Sequence, residues 1–414
     1  MENEIRNHLN NPTELEALYR NNKVRFKRSF DVLYTEFKGN AIADCWKERL
    51  HYESPELNWG SRSELLYVVV ASLIAGLVAK LPAIFNINED YFYPRNIGFI
   101  VFPMLTIFFA WKNKLSVAKI AFIAVTTLIG LIFINSLPNV KQSDTLILSC
   151  IHLGLFLWSI LGIAFVGEQT NDKQQRLAFL KYNGDLVVMT TLILIAGGIM
   201  SAITVNLFGL IGLEIADTYF QYVGVFGISA APMVGTYLVQ TNPQLVGKVS
   251  PVIAKIFSPL VLVMLVVYLI AIVYAGKNPY NDREFLLIFN ALLIGVLAII
   301  FFSIVETAKA TKNTTAVWIL LLLATVTVIV NGVALSAIVF RIAEMGITPN
   351  RAAVLGSNVL ILINLLLVTT KLFKVLAKKV EIDDVGKTIA SYLPIYFIWT
   401  IIVTFIFPLI FGFK

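Results

Sequence analysis

The chain has 414 residues, of which 57% are hydrophobic and only 14% charged, against roughly 45–50% and roughly 25% in water-soluble domains. A soluble fold cannot hide that much apolar surface, so the expected solvent is a lipid bilayer. The net charge of +7 does not call for nucleic acid, and none is expected as a partner, because basic residues in a membrane protein first report orientation.

In chain order, residues 1–63 form a polar head of mixed charge without an apolar leader core, so the first span is expected to act as its own insertion signal. Val24, Phe26, Phe30, Leu33, Tyr34 and Phe37 recur at helical spacing around the basic run KVRFKR, which marks an amphipathic cytoplasmic helix. It would lie on an anionic membrane surface or pack against the protein's own cytoplasmic loops, since the head is too short for much of a core.

Residues 64–414 read as a transmembrane helical domain. Eleven apolar runs fall at about 64–85, 97–111, 117–136, 145–166, 186–210, 219–239, 253–275, 285–305, 315–340, 352–370 and 388–411. At about 1.5 Å per residue most can cross roughly 30 Å of hydrocarbon. The expected fold class is therefore all-α, a polytopic transmembrane bundle of about 11 spans. The second run is short, and Gly224, Gly227, Pro232 and Gly235 interrupt the sixth.

The basic residues orient this threading. With the N-terminus in the cytoplasm and the C-terminus outside, the outer loops and span ends hold only Arg95, Lys141, Lys277, Arg283, Arg341, Arg351 and Lys414 of the 33 Lys and Arg, as the positive-inside rule requires. Lys80 lies within the first span near its outer end, where its stem can snorkel.

Deep positions are almost free of charge, unlike those of pumps and proton-coupled carriers. Amides and one imidazole remain: His152, Asn206, Asn290, Asn331, Asn358 and Asn364. Asn290, Asn331, Asn358 and Asn364 either bond helix to helix or line a polar route. His152 has no carboxylate in its own span and reads as a packed, hydrogen-bonded side chain. Cys45 and Cys150 lie in unlike environments, and the histidines, His8, His51 and His152, do not cluster. No disulfide, metal or cofactor is expected.

Three outer loops close alike, in DYFYPRNIGF, NPYNDREFLL and ITPNRAAVLG. Each gives a helix start signal and then Arg95, Arg283 or Arg351 in the expected first turn, with Asn281 and Glu284 spaced as a capping box. A cation there opposes the helix macrodipole by roughly 0.3–1 kcal/mol. These arginines, with Arg341, are expected to meet anions. Protein carboxylates are at hand in Glu89, Asp90, Glu214, Asp217, Asp282, Glu284 and Glu344. A lipid phosphate or a carboxylated solute at the outer face would serve equally.

Together FYPRNIGFIVFP, the acidic turn LFGLIGLEIADTYF followed by AAPMVGTYL, IFSPLVLVMLVVYLIAIVYAGKNPYNDREF and RIAEMGITPNRAAVLGSN resemble a family of bacterial polytopic membrane proteins catalogued only as a domain of unknown function. The likeness runs from about Leu65 onward. It implies a multi-pass protein of the bacterial inner (cytoplasmic) membrane and brings no activity or catalytic residue with it.

Three functions are open on this reading. The first is a non-enzymatic scaffold, sensor or partner subunit of the envelope, in contact with membrane lipids and with a protein partner or a second copy. The second is a transporter or flippase for a small or lipid-linked anion. The third is a lipid-acting enzyme, for which Glu214, Asp217, Asp282 and Glu344 are the best carboxylates.

Overall fold

The computed structural model describes residues 2–21, 23–51, 60–140, 143–210, 213–243, 258–267, 269–270, 283–307 and 314–413. Every regular element among them is a helix. The chain divides into two compact units, Met1–Asn58 and Trp59–Lys414.

The first unit holds Glu2–Asn7 (α1), Pro12–Asn21 (α2), Lys23–Phe37 (α3) and Ala41–His51 (α4). The stripe of α3 is covered inside this unit: Phe26 and Phe30 are fully buried with Ile5, Leu15 and Trp46. The stripe thus packs on neighbouring helices of the head, which holds more of a core than its length suggested. Four short helices converge on one small core, and a stripe on one of them cannot reveal its partners. The charges also pair locally, Arg6 with Glu36 at 2.8 Å, Lys47 with Asp31 at 3.0 Å, and both Arg20 and Arg49 with Glu16 at 2.8 Å. The hydrogen bond from Arg20 holds the Glu16 carboxyl below its ordinary range.

The second unit is a helical membrane bundle. Among the described residues nine helices are long and apolar enough to cross a bilayer. They are Arg62–Phe85 (α5), Glu89–Lys112 (α6), Val117–Ser136 (α7), Asp144–Val166 (α8), Lys173–Leu210 (α9), Ala216–Thr241 (α10), Thr314–Met345 (α13), Pro349–Leu376 (α14) and Ile382–Ile410 (α15). Two further apolar helices are Ser258–Val267 (α11), within the seventh expected run, and Arg283–Thr307 (α12), which spans the eighth.

Helix ends follow local chemistry. Ser61 and Glu64 close a capping box on α5, which satisfies two otherwise orphaned N–H groups. The helix stops at Asn86, whose φ of 52° is left-handed, a conformation asparagine tolerates. α6 starts at Glu89, eight residues before the expected run, because the Asn88 side chain accepts the Tyr91 N–H at 3.1 Å. Pro94 therefore lies inside the helix. It sacrifices one bond to the Asp90 carbonyl, on a residue that stays exposed, so the interruption is tolerable.

Successive helices run antiparallel. At the Arg62 end Lys112 meets Glu64 at 3.3 Å, and the Asn113 amide donates to the carbonyls of Ala164 and Phe165. At the opposite end Asn96 pairs with Asn135, and the Ser143 hydroxyl donates to the Phe413 carbonyl. Lys80 near that end sets its ammonium 4.5 Å over the Tyr222 ring.

Two large apolar cores result, beside two smaller clusters. One joins α6, α8, the first part of α9 and α10 through Phe99, Phe109, Phe156, Phe179 and Met233. The other joins α12, α13, α14 and α15 through Ile300, Leu320, Leu365 and Ile389. Glycines permit the closest approaches, as at Gly76 against Phe226 and Gly356 against Trp399. A π-helical turn at Ile402–Ile406 widens α15. Such a turn disturbs the regular carbonyl partners, and the Ser149 hydroxyl of α8 donates to the Thr404 carbonyl at 2.9 Å.

Candidate functional site

Arg95 sits in the second turn of α6, not in its first. Counting from Glu89 it lies roughly 9 Å along the axis. Its side chain folds back over Tyr91, with the guanidinium 4.1 Å from the ring centroid. Nη1 donates to the Tyr91 carbonyl at 3.3 Å and Nη2 to Asn139 Oδ1 at 3.4 Å, both long. Nε is buried and has no acceptor.

The surrounding network is neutral. Asn96 and Asn135 exchange amide hydrogen bonds of 3.0 and 2.9 Å, and the Tyr91 hydroxyl donates to the Asn135 carbonyl at 3.0 Å. Glu89 and Asp90 remain exposed, and Arg95 forms no ion pair among the described residues. Yet Arg95 is only 2% exposed. A guanidinium cannot shed its charge, and burying one without an anion costs several kcal/mol.

A cavity of about 300 Å³ adjoins it, lined by Pro94, Arg95, Ile97, Gly98, Val101 and Phe102 of α6 and by Cys150, Leu153 and Gly154 of α8. Gly154 keeps the wall thin, since a Cβ there would meet nothing within 4 Å. Arg95 is the one charged side chain in this lining, and no carboxylate or imidazole accompanies it. Such a site can hold an anion and offers no acid–base pair for turnover.

The other expected arginines have different surroundings. Arg351 answers its own anomaly: Nη1 donates to the carbonyls of Met345 at 3.0 Å and Gly346 at 2.7 Å. It thus caps the C-terminus of α13, where the macrodipole favours a cation, while Thr348 caps the start of α14 by accepting the Arg351 N–H at 3.3 Å. The guanidinium does clamp the loop, but through carbonyls instead of carboxylates. Arg351→Ala should lower thermal stability by about 1 kcal/mol without changing bound lipid. Loss of lipid at unchanged stability would overturn this assignment.

Arg341 is half-buried near the end of α13, its Nε buried without an acceptor, and Glu344 is exposed without an ion pair to it. Arg283 begins α12; its side chain, with Asn281, Asp282 and the Glu284 side chain, lies outside the described residues. Arg95, Arg341 and Arg351 therefore share no common partner among the described residues. Glu214 and Asp217 are exposed and do not line the cavity beside Arg95.

Asn206 is exposed and donates to the Ala202 carbonyl of its own helix, whereas Asn358 and Asn364 bond between helices. Asn358 Nδ2 donates to Asn290 Oδ1 at 2.9 Å, tying α14 to α12, and Asn364 Nδ2 donates to the Tyr396 hydroxyl at 3.0 Å, tying α14 to α15. Asn331 is fully buried in α13 with neither amide atom bonded, and Asn364 Oδ1 is likewise unpaired. His152 is buried and hydrogen-bonds the Leu148 carbonyl through Nδ1 at 2.9 Å.

Sequence reasoning missed Asn96, Asn135 and Asn139 around Arg95. The crowding of Asn and Tyr at the facing ends of α6 and α7 was the available signal. No family model, curated protein or solved structure matches the chain.

Proposed function

We propose that the protein is a non-enzymatic membrane scaffold or sensor that holds an anionic lipid, its phosphate on Arg95 and part of an acyl chain in the adjoining cavity. The observation that carries this reading is a guanidinium 2% exposed with neutral partners only. Its depth suits a headgroup phosphate, which supplies the missing charge and accepts forked hydrogen bonds. The basic residues of the loops support an N-terminus in the cytoplasm, which sets Arg95 toward the outer leaflet. The resemblance noted above favours the bacterial inner membrane.

A transporter or flippase for a small or lipid-linked anion is the second reading. The unpaired amide of Asn331 favours it, since a buried group without a partner in one conformation gains one in another.

The test is native mass spectrometry of protein delipidated and then offered phosphatidylglycerol and phosphatidylcholine together. Wild type should retain phosphatidylglycerol preferentially, and Arg95→Gln should weaken that preference roughly tenfold, the effect of losing a charge-assisted hydrogen bond. Arg95→Lys should recover part of it. Equal retention of both lipids by wild type would reject the proposal.

A further inference from the structure

A second guanidinium without a carboxylate lies at the other end of α8. Arg176, in the first turn of α9, donates through Nε to the Thr170 carbonyl at 2.9 Å, through Nη1 to the Ala390 carbonyl at 3.3 Å and through Nη2 to Asn171 Oδ1 at 3.4 Å. The Ala390 carbonyl is free for it because Pro394, four residues on, has no N–H to give. Three neutral acceptors fix the fork in place and leave a hydrogen on each terminal nitrogen.

The acids of this end are engaged elsewhere. Asp172 accepts the N–H groups of Gln174 and Gln175 at 2.8 and 3.2 Å, and Asp383 lies 2.7 Å from Lys387. Glu168 accepts the Ser116 N–H at 2.6 Å. Asp172 thus caps α9, and Arg176 forms no ion pair with any of these carboxylates.

Beside it α8, α9 and α15 line an open cavity of about 210 Å³, whose walls include Trp158, Gly162, Phe179, Leu393 and Phe397. Trp158 is held by its Nε1 hydrogen bond to Asn183 Oδ1 at 2.8 Å, so the indole is a fixed wall. Between the two cavities α8 shows Ile151 and Leu155 outward, 58% and 47% exposed. The apolar outer face of α8 is thus flanked by Arg95 of α6 and Arg176 of α9, each beside a cavity that α8 helps to line.

We propose that Arg176 holds the phosphate of a second anionic phospholipid, in the leaflet opposite to that of Arg95, with part of an acyl chain against Trp158. The site uses a different arginine and a different cavity, so it stands or fails apart from the first.

The test uses the full chain in phosphatidylcholine vesicles, with phosphatidylglycerol or phosphatidylcholine carrying brominated acyl chains as fluorescence quenchers. The Trp158 signal is taken as the difference from Trp158→Phe. Brominated phosphatidylglycerol should quench it at a lower mole fraction than brominated phosphatidylcholine. Arg176→Gln should reduce that preference roughly tenfold, Arg176→Lys should keep part of it, and Arg95→Gln should leave it unchanged. Equal quenching of the wild-type signal by the two lipids overturns the proposal without recourse to any variant. Relief of the preferential quenching by millimolar inorganic phosphate would assign the site to a free anion and overturn the lipid.

Discussion

Gly356→Ala should lower the stability of the bundle by about 3 kcal/mol, read as a lower thermal midpoint in detergent. The added Cβ would overlap the Trp399 ring of α15. That ring cannot swing aside freely, because Nε1 donates to Ser357 Oγ at 2.9 Å and the ring meets Phe407 edge-on at 6.0 Å. Relief therefore requires breaking the hydrogen bond or separating α14 from α15, whose contact includes the Asn364–Tyr396 bond. Gly332→Ala is the control. A Cβ there would meet nothing within 4 Å, and alanine is the better helix former, so stability should hold or rise slightly. Equal midpoints for the two variants would contradict the packing described.

Asn331→Leu should move stability the other way, raising it by about 1–3 kcal/mol. Leucine has nearly the shape of asparagine and removes two buried polar atoms that lack partners. Loss of an unmade hydrogen bond carries no penalty, whereas removing a made one does. Asn364→Leu differs in that it strands the Tyr396 hydroxyl and should be destabilising. Stabilisation by Asn331→Leu together with loss of a cellular phenotype would favour the transport reading, since the amide would then serve a second conformation. Destabilisation would show that Asn331 has a partner in the native membrane.

The apolar runs made the helices legible, because a bilayer demands both length and hydrophobicity from each span. What the runs could not show is which residues of different helices meet. Ser149 and Thr404 stand 255 positions apart, and Arg176 and Ala390 stand 214 apart. Arg351 was visible as an anomaly. Its resolution required the geometry of a turn tight enough to bring its guanidinium back to the carbonyls of Met345 and Gly346. Arg95 misled for a local reason: Pro94 resembles a helix start, while the signal that operates is Asn88, which caps the helix by accepting the Tyr91 N–H.

Cys150 offers the most direct measurement of the Arg95 site, since both line the same cavity. In a Cys45→Ser background Cys150 is the one remaining thiol, and its alkylation rate reports occupancy. Phosphatidylglycerol should slow alkylation several-fold relative to phosphatidylcholine, and Arg95→Gln should abolish the difference. Equal alkylation rates in the two lipids, with wild-type Arg95 present, would contradict the account.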